Sequence, residues 1–363
     1  MSQTLTSSLV LAGEWFLSSG IQEAAGGVAR YYLAGPRKNA RVSTEITGYA
    51  VSALVYLFDQ TGDQRYLDAA LRAARFLVDS AWDSSLSVFP FEHSVNGDLP
   101  RRLAYFFDSG IILRGLLALW RVNRDESLLA AAVACGESMI RDFLRNGPVD
   151  PILELPSRNP LPHAGTWSRN PGCYQLKSAL AWHDLCDVTG EKRFLDAYEK
   201  VLAQSLLTQA AFLPGETDRN LVMDRLHAYL YFLEGLLPCY QRMECRAVVR
   251  SGLATAAQLL RELAPAFERS DVCAQLVRIR LFADALGAAD LDRAAAQEEV
   301  ERIRAYQIED SDPPSRGGFW FGRKEGCLLP YVNPVSTAFG FQGLEMWRQW
   351  EAGKFHASRH ELI

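Results

Sequence analysis

The chain has 363 residues, 48% of them apolar and 22% charged, and carries a formal net charge of -5. That balance argues against a nucleic-acid partner, which needs a basic stripe, and no stretch approaches the ~18 uninterrupted apolar residues of a membrane span. Seven scattered cysteines without a CxxC pair, and a start that lacks a basic n-region, predict reduced thiols in a cytoplasmic protein with no secretory signal.

In chain order, an amphipathic helix is expected near residues 3–18, followed by a long loop to about residue 44 that carries Arg41. An apolar helix then starts near Gly48-Tyr49 and ends at Thr61-Gly-Asp-Gln-Arg-Tyr-Leu-Asp-Ala-Ala70. This segment returns as Asn123-Arg-Asp-Glu-Ser-Leu-Leu-Ala-Ala-Ala132 and again as Thr189-Gly-Glu-Lys-Arg-Phe-Leu-Asp-Ala-Tyr198. A period of a little over sixty residues signals stacked units, each with two helices. Further apolar helices are expected to begin near Ser109, Gly172, His227, Asp271 and Val335, with amphipathic partners over 64–81, 126–144, 191–208, 244–262 and 288–305. Twelve alternating helices predict an all-α (α/α)6 toroid of six helical hairpins, one domain over residues 1–363, with the apolar helices as inner ring. The connections into the inner helices are mostly long (20–44, 82–106, 145–170, 209–223 and 306–334) and all fall on one face. Function is expected there, because long structured loops on a rigid scaffold usually carry it.

The first candidate pair is Glu45, in Thr44-Glu-Ile-Thr-Gly-Tyr49, and Asp108, in Tyr105-Phe-Phe-Asp-Ser-Gly110. Nearly one repeat apart, they should sit at similar depth on neighbouring inner helices, with Tyr49 close by. Two carboxylates across a sugar-sized gap suit general acid and base work at a glycosidic bond. Helix capping is the competing role for both. Asp224, Arg225, His227 and Tyr229 open the fourth inner helix, and His227 is the histidine best placed for proton transfer at neutral pH. His93 and His163 fall in long loops. No HExxH or Cys/His ligand spacing occurs, so neither metal nor cofactor is expected. Trp167, Arg169 and Tyr174 form a third sector, and Trp320, Arg323, Tyr331 and Asn333 a fourth, with aromatic faces suited to sugar C–H groups. Six converging helix N-termini, with Arg41, Arg102, Arg169, Arg225, Arg278 and Arg323, predict an anionic saccharide ligand.

The repeated turn and twelve-helix order resemble the six-hairpin (α/α)6-toroid superfamily of carbohydrate enzymes over nearly the whole chain. Glu45 and Asp108 occupy positions similar to the two essential carboxylates of the unsaturated glucuronyl hydrolases, with Glu in place of Asp at the first. That resemblance implies that one acid protonates the substrate and activates water. The N-acylglucosamine and cellobiose 2-epimerases resemble the chain in architecture and imply paired histidines, of which His227 is the one placed here. Pro330-Tyr-Val-Asn-Pro-Val-Ser-Thr337 resembles toroid proteins associated with bacterial surface polysaccharides. The leading expectation is a glycoside hydrolase acting on an acidic, uronate-type saccharide. A sugar or uronate epimerase or lyase, and a non-catalytic glycan-binding protein, stand as alternatives.

Overall fold

The repeated segment is a helix-to-helix turn, and its chemistry explains its recurrence. Thr61 Oγ1 donates back to Leu57 O (2.7 Å) and accepts from the Asp63 N–H (3.2 Å). Thr189 does the same between Leu185 and Glu191 (2.8 and 3.1 Å), and Asn123 accepts from the Asp125 N–H at 3.0 Å. The residue between takes a left-handed backbone: Gly62 (φ 71), Gly190 (φ 73) and, without glycine, Arg124 (φ 57). Asp63 and Asp125 then cap the next helix through their side chains, satisfying N–H groups that a helix start leaves open.

The computed structural model describes residues 7–92, 102–145, 147–213, 218–264, 266–309 and 312–363; His93 lies outside them. Twelve α-helices occur among the described residues. The inner ring is α2 (Thr44–Thr61), α4 (Phe106–Asn123), α6 (Leu176–Thr189), α8 (Arg219–Gly235), α10 (Ser270–Ala285) and α12 (Pro334–Glu351). The outer ring is α1 (Ser8–Ser18), α3 (Gln64–Arg75), α5 (Glu126–Phe143), α7 (Lys192–Thr208), α9 (Met243–Leu263) and α11 (Arg293–Arg304). Each inner helix packs on the next, and α12 returns to α2 to close the circle. The helices approach closely where side chains vanish: a Cβ on Gly48 would lie 2.8 Å from Ile112 Cα, and one on Gly110 2.4 Å from Ser178 O.

Short antiparallel strands in the loops line the mouth. Strands β1 (Tyr32–Leu33), β2 (Lys38–Asn39) and β9 (Tyr331–Val332) form one sheet in the order β2-β1-β9, with Tyr32 opposite Val332. This sheet ties the first long loop to the last. Strands β3 (Leu103–Tyr105), β4 (Ile152–Glu154) and β5 (Asn159–Pro160) form a second, and β6 (Phe267–Arg269), β7 (Gly322–Lys324) and β8 (Cys327–Leu328) a third. The expected inner-helix starts hold except at α8, which begins eight residues before His227, and the outer helices α1 and α11 begin at Ser8 and Arg293, each five residues later than expected. Asp218 caps it by accepting from the Asn220 and Leu221 N–H groups, so Asp224 and His227 lie within the helix rather than at its opening. No helix among the described residues is long and apolar enough to cross a membrane.

Candidate active site

The inner helices begin at the mouth, and their first turns present acids. Glu45 is the second residue of α2, Asp108 the third of α4 and Asp271 the second of α10. A cavity of about 400 Å³ lies here, with Arg30, Tyr31, Glu45, His227, Tyr231 and Arg269 among its lining residues. Asp271, Phe321, Tyr331 and Asn333 complete its polar and aromatic wall.

Capping does not account for the acid pair. Ser43 caps α2, its hydroxyl accepting from the Ile46 N–H at 3.3 Å, which leaves Glu45 to face the cavity. At α4 the cap position is Tyr105, with no side-chain capping bond. Asp108 is 4% exposed, and its Oδ2 has no hydrogen-bond partner. No ion pair within 4 Å reaches either acid among the described residues. Burial pushes Glu45 up to about 7, partly offset by the Arg30 guanidinium. Burial, reinforced by the charge of Glu45, pushes Asp108 well above the ordinary carboxylate range. Buried Asp108 and half-buried Glu45, without an ion-pair partner, therefore hold their protons more tightly than ordinary carboxyls.

Across the cavity the third acid behaves oppositely. Burial works against the charge on Asp271, but Arg269 outweighs it through two hydrogen bonds (Nε to Oδ1 3.0 Å, Nη2 to Oδ2 2.7 Å) and holds the carboxyl below its usual range. Arg269 also donates to Asp224 Oδ1 at 3.2 Å. Asp224 is half-exposed at the rim, so it serves Arg269 rather than facing the acid pair.

His227 lines the cavity and is 7% exposed. Burial, with the nearby Arg269 charge, lowers it to about 4, so the ring is neutral at physiological pH. Its Nδ1 lies 2.7 Å from Gln275 Oε1, an acceptor. The proton therefore sits on Nδ1 and Nε2 is the basic nitrogen.

One turn along α8, Tyr231 packs edge-on against His227 at 4.5 Å and against Phe107 at 4.8 Å. Tyr49, 1% exposed beneath the cavity, donates its hydroxyl to Tyr231 Oη at 3.0 Å. The reverse direction would bury the Tyr49 proton without an acceptor, whereas Tyr231 lines the cavity and can point its own proton into it. Burial and the charge of Glu45 push the Tyr231 hydroxyl well above its ordinary range, so it stays a donor.

Other expected residues distribute unevenly. Tyr331 lines the cavity, stacked on Phe321 at 4.9 Å. Asn333 also reaches it while capping α12 through the Val335 and Ser336 N–H groups. Trp167 and Tyr174 pack edge-on at 4.9 Å, and Tyr174 adjoins Phe107 at 6.1 Å, forming a neighbouring aromatic sector that includes half-buried Arg169. Arg225 is half-buried on α8.

Four expectations are corrected. Tyr229 faces away from the cavity, its hydroxyl donating to Gln209 at 3.3 Å, because it lies two residues from His227 and thus on the other side of the helix. Arg278 is fully buried on the ring axis, two turns into α10, where it bonds Glu234, Gln342 (2.9 Å) and Ile363 O (3.3 Å). Trp320 and Arg323 flank the lining residue Phe321 without lining the cavity themselves. The arginine collar is largely a set of ion pairs: Arg102 reaches Asp83 at 2.8 Å and Arg41 lies 3.7 Å from Glu92.

Reasoning from sequence missed Arg30, Arg269, Asp271 and Tyr231, all lining the cavity. Asp271 repeats the phase of Glu45, and Tyr231 lies four residues after His227, so both carried a readable signal. The one metal-compatible grouping among the described residues is Asp184, Asp187 and His360. It lies at the opposite end of the ring, where Arg114 and Arg359 already hold Asp184, each at 3.1 Å.

The twelve-helix double ring is an (α/α)6 toroid. Solved structures that share it include the cellobiose 2-epimerase of Spirochaeta thermophila DSM 6192, 15% identical, covering 96% of this chain and all of that one (TM-score 0.68). A D-mannose isomerase is 11% identical, covering 95% and 98% (TM-score 0.68). The unsaturated glucuronyl hydrolase of Bacillus sp. GL1 is 14% identical, covering 95% and 96% (TM-score 0.63). At these identities the likeness is one of fold. No family model matches the chain, and no curated protein matches it in sequence.

Proposed function

We propose that the chain is a carbohydrate-active enzyme that cleaves a saccharide by carboxylate acid/base catalysis, with Asp108 as proton donor and Glu45 as its partner. The observation that carries this reading is the placing of Glu45 and buried Asp108 in the first turns of neighbouring inner helices at the mouth, close enough for the charge of Glu45 to act on Asp108 and with no ion pair to either among the described residues. Asp108 is held well above its ordinary range and Glu45 titrates near 7, so Asp108 serves as the acid and Glu45 as the base of the pair. Tyr231 donates a hydrogen bond to a sugar oxygen beside them, and the Phe321–Tyr331 stack offers a face for a pyranose ring. An acidic sugar would meet Arg30, which lines the cavity with its side chain 47% exposed and shares Glu92 with Arg41, each at 3.7 Å. The glucuronyl hydrolase with this fold is described as responsible for the degradation of glycosaminoglycan, which supports the same substrate class.

Epimerisation has one observation of its own, the neutral His227 with a basic Nε2 in the same cavity. Incubating acidic oligosaccharides with the protein in heavy water separates the two. New reducing ends, with no deuterium in uncleaved sugar, are the expected result; solvent deuterium on carbon transfers the assignment to His227. If Asp108→Asn and Glu45→Gln both keep full turnover, the acid-pair mechanism is wrong.

A further inference from the structure

A second cavity, of about 320 Å³, opens at the end of the ring opposite the mouth. It lies between the C-terminal halves of α2 and α4, and the tail that follows α12 forms its remaining wall. Ser52, Tyr56 and Asp59 come from α2, Arg121 from α4, and Ser358, His360 and Glu361 from the tail, with His360 already turned to Asp184 and Asp187 at 3.3 and 3.6 Å.

Its hydrogen-bonding groups are unmet. Tyr56 is 2% exposed and its ring is held against Phe341 at 6.1 Å, yet its hydroxyl has no partner. Arg121 Nη2 is likewise buried without an acceptor. The carboxylate that acts on it most, Asp184, is already engaged by Arg114 and Arg359. Buried donors left in this state are costly and uncommon in native proteins. Asp59 and Glu361 supply acceptors across the cavity. Burial raises both carboxyls, Glu361 further through the charge of Asp59, and neither accepts a side-chain hydrogen bond among the described residues.

The sum of these groups selects a ligand class. An inorganic anion would meet Arg121 but also two carboxyls. A metal cation would meet the carboxyls but also a guanidinium. A polyol suits both, since each hydroxyl accepts through oxygen and donates through hydrogen. We propose that this cavity is a second binding site that takes one uncharged, hydroxyl-rich ligand of hexose size. Its oxygens accept from Arg121 and Tyr56, and its hydroxyl protons go to Asp59 and Glu361. The site stands apart from the acid pair and does not depend on the reaction proposed there. Because Ser358 and Glu361 belong to the tail, an occupied site holds the tail down.

Hydrogen exchange of the tail segment 352–363, read by mass spectrometry, tests this on the full chain. D-glucose, D-mannose and D-galactose serve as neutral probes, with D-glucuronate, inorganic phosphate and calcium as charged ones. A neutral hexose at about ten times its Kd is expected to slow tail exchange by about tenfold, provided the opened tail does not bind it. Tyr56→Phe, nearly isosteric, and Arg121→Met should each abolish that protection, while Tyr231→Phe in the mouth should leave it in place. The proposal is overturned if no neutral hexose protects the tail, or if both variants are protected like the wild type. Stronger protection by glucuronate, phosphate or calcium than by any hexose overturns the ligand class.

Discussion

Asp108 and Asp184 are the same residue type, on neighbouring inner helices, 4% and 1% exposed respectively, yet they behave oppositely. Asp184, near the end of α6, is surrounded by arginines. Burial resists its charge, but Arg114 and its neighbours overcome that and hold it well below the carboxylate range. Asp108, at the start of α4, has no such partner and is pushed well above it. The axis repeats the paired pattern: buried Lys177 lies 2.9 Å from Glu234, which also receives Arg278. Burial alone therefore does not mark a functional acid. What distinguishes Asp108 and Glu45 is that neither has an ion-pair partner within 4 Å among the described residues, which is costly unless their protons are put to use.

The contrast breaks most clearly under mutation. Asp108→Asn should lower turnover by about 10²–10⁴-fold while leaving the fold intact, since it removes a proton donor and no salt bridge; thermal unfolding alongside kinetics checks both halves. Asp184→Asn should do the reverse, costing about 3–5 kcal/mol of stability by stranding Arg114, with the activity of the folded fraction unchanged. Denaturant titration would expose a failure, because a loss under about 1 kcal/mol would mean the arginines are solvated and not paired.

A subtler test uses pH. The folded state holds the Glu45 proton more tightly than the unfolded chain, whose ordinary value is 4.5. Folded molecules therefore bind more protons between 4.5 and about 7, and stability falls as pH rises through that window. Glu45→Gln should flatten this part of the profile by about 2 kcal/mol, measured by urea unfolding at its two ends. The smallest effect belongs to Tyr231→Phe, which should reduce kcat/KM about tenfold through one lost hydrogen bond to substrate, with little change in Tm.

The architecture was legible because the turn is chemically demanding. A hydroxyl or amide that accepts from an N–H two residues on, then a left-handed residue, then a helix-capping acid leaves a spaced signature that recurs. Its third copy has Glu191, which caps without a side-chain bond, and the pattern survives. The start of α8 was not legible, because Asp218 lies in a polar stretch that resembles the loop before it. Glu45 and Asp108 were singled out by their phase in the repeat, and both lie in the first turns of neighbouring inner helices. Arg278 was misplaced because an arginine in an apolar helix does not reveal whether it points to water or to a buried carboxylate. That depended on Glu234, more than forty residues earlier in the chain, and on the last residue, Ile363.

The pairing of β1 with β9 gives the ring a property that open helical arrays lack. In an array the terminal units have one neighbour each, need polar covers and melt first. Here α12 packs against both α1 and α2, and the first loop is hydrogen-bonded to the last, so every hairpin has two flanking hairpins. Unzipping must begin by tearing a closed circle, which favours the loss of all six hairpins together, and with them the cavities at both ends of the ring.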